Sequence, residues 1–510
     1  MITIKKINKN SKKNIHNTIN DSISFGIDFG TTYSLIATTI SKETTIISDE
    51  ENRILLPSIV NYSHSKPIVG WPAKNMVISD PINTITSIKR LIGHSLEEIK
   101  KLYPHLPYHF KKNKNNTVSF IINNHIISTI NVSNQIFNKL KKRAVSLFNK
   151  KINGVVITVP ANFNDIQRQE IKKSAELSGL NVLRLINEPT AAAIAYGLQL
   201  KEKGIIAIYD LGGGTFDISI LNLDNNIFEV LSTSGSTNLG GDDIDYLLFN
   251  YIKNKIIPFQ LNDISSEKEL LNLAQSIKIQ LSSKYYVTAA FKSHNFCITR
   301  MEFNNIIQPI ISETLIICRN SLKAAKISIN NVNFIVLVGG STYIPAIRQH
   351  VTKYFKKSPL FSINPEQVVV VGAAIQANML TKENKKNNII LLDVIPLSLG
   401  IEIMGNMVEK IIFKNTKLPI SQTRQFTTFK DKQKSILIHI LQGEGNLVHD
   451  CQSLSKFVLT EIPEKPAGKI IIIVKFQIDV SGLLTVTAKI KSTKIKKNIL
   501  VNPIYKLNTL

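Results

Sequence analysis

Acidic residues stand beside glycine- and threonine-rich turns at two points of the sequence. Asp28 precedes the turn GTT at 30–32, and Asp210 precedes LGGGT at 211–215, with Asp217 just beyond it. Glycines let backbone N–H groups approach an anion closely, because no Cβ intervenes. Carboxylates beside such turns favour a hard cation that is shared with phosphate oxygens. The spacing therefore predicts a site for Mg²⁺ and a phosphate-bearing ligand.

Two further features fit the same chemistry. The segment FIVLVGGSTYIP at 334–345 is a predicted strand that runs into glycines, and Glu188 stands in NEPTAAA at the start of a predicted helix. Tight turns also need glycine, and Glu188 could simply be a first-turn charge that suits the helix dipole. Each of these explanations is plausible for one residue, but together they explain poorly why four acidic residues stand beside such turns. Because neither GxxxxGK[ST] nor GxGxxG occurs, the ligand would be held differently from those of P-loop and Rossmann proteins.

The elements that must position these residues follow from the hydrophobic pattern. A strand, a turn and a second strand at 24–40 recur at 204–221, which indicates two related halves. Helical patterns at 164–180 and 189–198 alternate with strands, as is typical of an α/β domain. After about residue 400 the pattern changes to short alternating runs, which predict an all-β sandwich of roughly 100 residues.

These patterns divide the chain into four segments. We expect a disordered basic tail at 1–21, an α/β domain at 22–388, an interdomain linker at 389–400 and the β-sandwich at 401–505. The linker contains LLDVIPLSLG, which has the composition of a buried strand and not of a polar tether. We therefore expect it to be buried in one state of the protein and released in another.

Composition excludes several classes of function. The formal net charge is +25, but nine of the 62 basic residues are arginine and the lysines are spread along the chain, which indicates compositional drift more than nucleic-acid binding. No apolar run approaches the roughly 18 residues of a membrane span, and the first residues lack the apolar core of a secretory signal. Three separated cysteines without a CxxC pair favour a reducing, cytoplasmic location.

The motifs as a group resemble a known family. GIDFGTTYS, ITVPANFND, NEPTAAAIAYG, YDLGGGTFDISI, LVGGST and LLDVIPLSLGIE are similar to the ATP-dependent 70-kDa heat-shock chaperones of the DnaK class, over about 23–505. LYPHLPYHF, EKIIFKNTKLPI and FTTFKD look closer to the branch dedicated to iron–sulfur cluster assembly. The resemblance implies an α/β actin-like (ribonuclease H-like) two-lobed ATPase domain followed by an all-β sandwich peptide-binding domain.

The resemblance also implies site residues, with ATP and Mg²⁺ as cofactors. Mg²⁺ would be held, largely through water, by Asp28, Glu188, Asp210 and Asp217. Hydrolysis would use Lys89, Glu188, Asp210 and Thr215. The nucleotide would contact Thr31, Thr32, Tyr33, Gly212, Gly213, Gly214, Lys278, Ser282, Gly339, Gly340, Ser341 and Tyr343. By spacing alone Lys89 would be a surface lysine, so its role depends on the resemblance.

On the nucleoside side the sequence departs from the family. Gln275 stands where the family usually has Glu, and Tyr343 stands where it usually has Arg. Fewer charged contacts imply a weaker hold on the nucleoside and faster exchange, which agrees with a branch that works without a nucleotide-exchange factor. A helical lid follows the sandwich in the family, whereas this sequence ends at VNPIYKLNTL, so we expect fast binding and release of peptide.

The resemblance places further residues in a peptide cleft and in interdomain coupling. The cleft residues would be Ile401, Met404, Met407, Phe426, Phe429, Ile436 and Ile438. The coupling residues would be Pro160, Arg168, Leu391, Leu392 and Asp393. Half of the cleft set could be ordinary sandwich core, but the bulky Phe429 would narrow the range of accepted peptides. The expected partners are an iron–sulfur scaffold protein as client and a J-domain co-chaperone near Arg168 and the linker, without nucleic acid or membrane.

Three other functions remain to be weighed. The first is a general protein-folding chaperone of the same family. The second is a sugar or glycerol kinase on the same fold, which the Met, Ile and Phe residues of the β domain disfavour. The third is a binding module that no longer hydrolyses ATP, which the intact acids, Lys89 and Thr215 disfavour.

Overall fold

The chain divides into two compact units. The computed structural model describes residues 3–7, 22–40, 43–113, 117–148, 151–200, 203–224, 226–255, 263–381, 389–491 and 496–500. The first unit is formed by Met1–Ala161 and Ile171–Ile390, and the second by Asn162–Glu170 and Leu391–Leu510. The expected end of the α/β domain at 388 therefore lies two residues from the observed boundary at Ile390.

Residues 162–170 are assigned differently from our expectation, which placed them in the α/β domain. They cluster with the second unit, where the Asp165 carboxylate accepts a hydrogen bond of 2.8 Å from the Leu484 backbone N–H. The helical pattern at 164–180 corresponds to an observed helix, Asp165–Leu177. The period of a helix does not reveal which distant segment it packs against, because many partners can cover the same apolar face.

Strands and helices alternate through the first unit. The strands are β1 (Thr3–Ile7), β2 (Ser22–Phe29), β3 (Tyr33–Ile40), β4 (Glu43–Ile47), β5 (Leu56–Pro57), β6 (Val60–Asn61), β7 (Ile68–Val69), β8 (Thr84–Ile85), β9 (Phe110–Lys112), β10 (Val118–Ile122), β11 (His125–Ser128), β12 (Lys151–Val159), β13 (Val182–Asn187), β14 (Gly204–Leu211), β15 (Phe216–Asp224), β16 (Ile227–Ser236), β17 (Tyr286–Phe291), β18 (His294–Thr299), β19 (Val332–Val338) and β20 (Ile390–Leu392). The helices are α1 (Trp71–Lys74), α2 (Leu96–Leu102), α3 (Thr129–Phe148), α4 (Asp165–Leu177), α5 (Glu188–Leu200), α6 (Gly241–Lys255), α7 (Ile264–Leu281), α8 (Arg300–Ala325), α9 (Pro345–Phe355) and α10 (Val368–Thr381). The unit boundary falls inside α4 at one end and inside β20 at the other.

Two sheets of the first unit are built on the same plan. In one sheet the order is β1-β4-β3-β2-β12-β13, with β2 antiparallel to β3 and parallel to β12. In the other, β14 is antiparallel to β15 and parallel to β19. The duplication indicated by the two similar hairpins is therefore present. Asp28 and Asp210 occupy the same place in the two plans, one residue before the end of β2 and of β14.

Helices α5 and α10 pack against each other and against these sheets. Helix α10 contacts β2, β3 and β12, and α5 contacts β14 and β15. Described residues 368–377 of α10 are all buried, which explains its apolar sequence VVVVGAAIQA. A Cβ at Gly372 would overlap the carbonyl group of Ala191 in α5, and a Cβ at Gly26 of β2 would overlap the Ala373–Ala374 backbone of α10. Glycine at these positions lets the backbone of α10 approach the backbones of α5 and β2 directly.

The N-terminal residues were expected to form part of a disordered tail. Thr3–Ile7 instead form β1, which runs parallel to β4, with Thr3 opposite Glu43 and Ile7 opposite Ile47. Without β1, the free edge of β4 would leave backbone donors and acceptors unpaired, which favours the addition of a strand. Residues 1–2 and 8–21 of the expected tail lie outside the described part of the chain, as do residues 492–495 and 501–505 of the expected sandwich domain.

The second unit contains two antiparallel four-stranded sheets. Their strands are β21 (Leu399–Ile403), β22 (Met407–Ile412), β23 (Ile420–Thr427), β24 (Ile436–Gln442), β25 (Gln452–Leu459), β26 (Ile471–Ile478), β27 (Leu484–Ile490) and β28 (Lys496–Leu500). The orders are β22-β21-β24-β25 and β23-β26-β27-β28. Alternate residues of both sheets, such as Ile440, Phe476 and Val486, meet in one apolar core. Among the helices of the described residues, none has the length and apolar character needed to cross a membrane.

The contact between α5 and α10 can be tested with Gly372→Ala. Alanine in a helix is ordinarily about 1 kcal/mol more favourable than glycine, so a loss of stability would report the steric contact. We expect a loss of about 3 kcal/mol, because the new Cβ meets backbone atoms that cannot rotate away. The free energy of unfolding would be measured with denaturant.

Gly179→Ala is the matched control for this experiment. Gly179 has a φ of 71°, and the nearest atom to its added Cβ is Nζ of Lys141, the mobile end of a long side chain. Its loss should be about 1 kcal/mol, from backbone strain alone. Equal losses for the two variants would contradict the proposed close contact.

Candidate active site

A cavity of about 850 Å³ lies in the first unit, where the ends of β2, β14 and β19 meet the start of α5. Most of the residues that the sequence singled out for nucleotide and metal line it. These are Asp28, Thr31, Thr32, Tyr33, Lys89, Glu188, Asp210, Gly212, Gly213, Thr215, Gln275, Lys278, Ser282, Gly339, Gly340, Ser341 and Tyr343. Residues separated by more than 300 positions in sequence are thus brought to a single cavity.

Two of the expected residues lie beside the cavity and not on its wall. Asp217 is 1% exposed and stands opposite Asp210 in the ladder between β14 and β15. Gly214 packs against Thr31 and Arg90, and a Cβ there would lie 2.9 Å from the Thr31 side chain. Asp217 can therefore influence the cavity through its charge, and Gly214 through the shape of the turn.

The carboxylates of the cavity are concentrated and buried. Burial, followed by the charge of Glu188, raises the pKa of Asp28 to about 7, against the opposing effect of Lys89. Burial and the charge of Glu188 also raise the pKa of Asp210 well above its usual range. Desolvation is the larger cause and repulsion between buried carboxylates the second, and a bound cation would offset both. Asp28 also accepts a hydrogen bond of 3.1 Å from the Thr158 hydroxyl.

Lys89 supplies a positive charge inside this acidic cavity. It lies in the 3-10 helix Ile88–Arg90, and its Nζ donates a hydrogen bond to Oε1 of Glu188. Their side chains are 3% and 8% exposed, so the pair is almost fully removed from water. Within the described residues, no group of three or more acidic, His or Cys side chains is close enough to bind one metal ion directly.

The glycine turn after β14 is held in place by backbone hydrogen bonds. The Gly212 N–H donates to the Thr215 carbonyl at 3.0 Å, and the Asp242 N–H donates to the Gly213 carbonyl at 2.7 Å. A Cβ at Gly213 would overlap the Thr32 hydroxyl, which belongs to the equivalent turn after β2. The two turns therefore lie in direct contact, which a side chain at Gly213 would prevent.

At the end of the cavity away from Lys89 and Glu188, the polar side chains are bonded to other parts of the protein. Lys278 forms an ion pair of 2.8 Å with Asp245, and the Gln275 amide donates to the same carboxylate at 3.2 Å. The Tyr343 hydroxyl donates to Asn364 at 2.9 Å, and the Arg348 guanidinium lies 5.5 Å from the Tyr343 ring. These side chains are already engaged with protein partners, which limits the polar contacts that they can add to a ligand.

Sequence reasoning missed several residues of the cavity wall. Among them are Asp242, Ile279, Arg348 and Glu366. The only signal for Asp242 was the GGDD sequence at 240–243, where glycines precede two acids in the first turn of α6. Nothing in the local sequence distinguishes Arg348 from other helix-surface arginines, because its approach to the cavity depends on how α9 packs.

The expected cleft residues of the second unit fall into two groups. Ile401 and Ile438 are buried in the core, with Phe426 and Ile436 packed partly against it. By contrast Met404, Met407 and Phe429 are exposed, at 83%, 47% and 62%. These four residues therefore belong to the sandwich core, as was considered for half of the set. The second group is available to a ligand.

The residues expected to couple the domains lie at the ends of elements. Pro160 follows β12, and Arg168 is buried on α4, where its Nε donates to the Phe163 carbonyl at 3.1 Å. Leu391 and Leu392 are half-buried on β20. Asp393 is buried, and its carboxylate accepts a hydrogen bond of 2.8 Å from the Val394 N–H. The apolar composition of the linker thus corresponds to a strand followed by buried residues.

Comparison with known proteins gives a consistent result. A family model described as Hsp70 protein matches residues 24–509. Chaperone protein HscA of Buchnera aphidicola subsp. Baizongia pistaciae is 61% identical over 474 residues, which cover 92% of this chain and 93% of the relative. Chaperone protein HscA of Buchnera aphidicola subsp. Schizaphis graminum is 50% identical over 469 residues, covering 92% of this chain and 77% of the relative.

A relative from outside that genus agrees. Chaperone protein HscA of Xenorhabdus nematophila is 48% identical over 478 residues, which cover 94% of this chain and 78% of the relative. The family match spans both the unit with the cavity and the unit with the two antiparallel sheets. The chain therefore belongs to the Hsp70 family of ATP-dependent chaperones, and it is an ATPase.

Proposed function

We propose that the first unit binds ATP with Mg²⁺ in the cavity described above, and that hydrolysis there controls the binding and release of a client peptide by the second unit. The observation that carries this proposal is the buried Lys89–Glu188 pair beside Asp28 and Asp210, facing two glycine turns. Anions, a cation and a phosphate cradle thus meet at one place. The duplicated sheets with α5 and α10 support an actin-like, two-lobed architecture for this unit.

The chain's own residues would act by positioning and by charge. When bound, Mg²⁺ offsets the negative charge of the phosphates and so favours attack by water. Asp28, Asp210 and Asp217 would hold that ion through its waters. Lys89 would stabilise the charge of the transferred phosphoryl group, while Glu188 and Thr215 would orient the attacking water. No covalent step is required of the protein.

Thr31, Thr32, Tyr33 and the two glycine turns, together with Ser341, would surround the phosphates. Ser341 donates to the Gly212 carbonyl at 2.8 Å, so it supports the turn as well as the cavity wall. On the nucleoside side, Gln275 and Tyr343 leave fewer charged contacts than the family usually has. We infer faster nucleotide exchange, and a protein that works without a nucleotide-exchange factor.

The second unit would bind an extended peptide segment. Met404, Met407 and Phe429 offer exposed apolar surface above a core that contains Ile401 and Ile438. The resemblance to the iron–sulfur branch and the HscA relatives support an iron–sulfur scaffold protein as client, with a J-domain co-chaperone acting at Arg168 and the linker. We place this work in the cytoplasm, where the free cysteines Cys297, Cys318 and Cys451 would stay reduced.

The role of Lys89 can be tested with Lys89→Ala. Removing the charge should lower single-turnover ATP hydrolysis by at least about 100-fold, because its contribution is made mainly in the transition state. Nucleotide affinity should change by less than about 3-fold, since the glycine turns still hold the phosphates. Lys112→Ala, which removes an exposed ion pair of 2.7 Å with Glu97, is the matched control and should hydrolyse ATP normally. Normal turnover in Lys89→Ala would contradict the assignment.

The selectivity of the cleft can be tested with Phe429→Ala. Loss of the exposed ring should raise the affinity for unrelated apolar peptides about 5-fold, while binding of a Leu-Pro-Pro peptide from an iron–sulfur scaffold changes less than about 2-fold. Fluorescence anisotropy with labelled peptides measures both. Phe413→Ala removes another exposed ring, 57% accessible, and should leave both affinities unchanged. Equal affinity of the parent protein for all peptides would favour a general folding chaperone.

The linker can be tested by replacing Leu391 and Leu392 with Asp together. Burying a charge is strongly unfavourable, so the state with the buried linker should be lost and ATP should no longer trigger peptide release. Peptide release and phosphate release would be followed in the same samples, with and without the J-domain partner. Leu177→Asp with Leu380→Asp, both exposed leucines, is the matched double control. Unchanged coupling in the linker variant would refute the proposed role.

A further inference from the structure

Arg90 follows Lys89 in the same 3-10 helix, and its contacts differ from those of its neighbour. Its side chain is 8% exposed, and its guanidinium donates to the Asp243 carboxylate. The Asp242 carboxylate lies 3.8 Å from it, and the Gly214 carbonyl accepts a hydrogen bond of 3.3 Å. Arg90 thus joins the helix that carries Lys89 to the glycine turn and to the start of α6.

Other side chains bridge the same two parts of the unit. The Ser87 hydroxyl donates to the Asp242 carboxylate at 2.8 Å. The Tyr103 ring lies 5.1 Å from the Arg90 guanidinium, and its hydroxyl donates to Asn238. A buried charge with carboxylate, carbonyl and aromatic partners is a stronger connection than an exposed ion pair. Residues 87–103 are therefore attached to residues 214–243 at several points.

The partners of Arg90 are themselves part of the phosphate cradle. Asp243 accepts a hydrogen bond of 2.7 Å from the Gly240 N–H, and the Asp242 N–H donates to the Gly213 carbonyl at 2.7 Å. Asp242 also lines the cavity, whereas Arg90 is not among the described residues that do. A displacement of Arg90 would consequently move the turn that faces the phosphates, although Arg90 itself does not reach them.

We propose that Arg90 is a positioning residue whose contacts with Asp242, Asp243 and Gly214 hold the Lys89 helix against the glycine turn and retain the bound nucleotide. The cavity would then be kept closed at its phosphate end. This matters in a chain whose nucleoside side, at Gln275 and Tyr343, offers few charged contacts. The inference depends on the proposed nucleotide site and adds to it the device that keeps the nucleotide in place.

The test is the release of a fluorescent ADP analogue from Arg90→Gln, followed by stopped flow together with single-turnover ATP hydrolysis. Loss of a buried charged hydrogen bond should accelerate release about 10-fold and slow hydrolysis, because the Lys89 helix is no longer fixed. Arg90→Lys should restore part of both rates, since it keeps the charge without the planar fork.

Combining Arg90→Gln with Asp243→Asn should accelerate release no more than the stronger single variant, as expected for groups that act together.

Arg53→Gln is the matched control. Arg53 also pairs with two carboxylates, Asp49 at 2.9 Å and Glu51 at 2.7 Å, and lies 5.1 Å from the Trp71 ring. It should leave ADP release unchanged. Thermal unfolding of every variant shows whether the fold is intact, and if Arg90→Gln does not fold, Ser87→Ala replaces it, with release expected about 3-fold faster from the loss of one hydrogen bond.

The outcomes separate this inference from the proposed function. If Lys89→Ala stops hydrolysis while folded Arg90→Gln, or Ser87→Ala in its place, releases ADP at the parent rate, the inference about Arg90 is wrong and the nucleotide site stands. Release accelerated as much by Arg53→Gln as by Arg90→Gln would also overturn it. Normal hydrolysis in Lys89→Ala would instead overturn the proposed site.

Discussion

The direct contact between the backbones of α5 and α10 is the constraint on which the first unit depends. Gly372 lets α10 touch the Ala191 carbonyl of α5, and Gly26 lets β2 lie against the backbone of α10. Since α10 packs on the sheet of β2 and α5 on the sheet of β14, this contact sets the distance between the two sheets. The strand ends that carry Asp28 and Asp210 line one cavity, and α5 and α10 pack the two sheets together beside it.

That geometry places several buried carboxylates in one cavity. Burial, followed by the charge of Glu188, raises the pKa values of Asp28 and Asp210, and Lys89 lowers them only in part. A hydrated divalent cation would offset the charge of these carboxylates. The cavity is thus preorganised for charge, and its glycine turns supply backbone N–H groups without the bulk of side chains.

The second unit carries apolar residues both in its core and on its surface. Ile401 and Ile438 serve the core, whereas Met404, Met407 and Phe429 remain exposed on the same unit. Methionine adapts to many shapes, while a phenylalanine ring restricts them, so the balance between the two would set the breadth of client choice. Leu391 and Leu392 are half-buried, so part of their apolar surface stays accessible.

The sequence by itself determined the local features: the turns after β2 and β14 with their acids, the duplicated hairpins, the helices at α4 and α5, and the apolar linker. Each depends on residues close together in the chain, where glycine, charge and hydrophobic period act directly. Only the tertiary structure decided that Lys89 is buried against Glu188, that Arg90 joins Asp242 and Asp243, that Thr3–Ile7 complete a sheet and that residues 162–170 cluster with the second unit. These partners are distant in sequence, and burial selects them through packing, which no local pattern encodes.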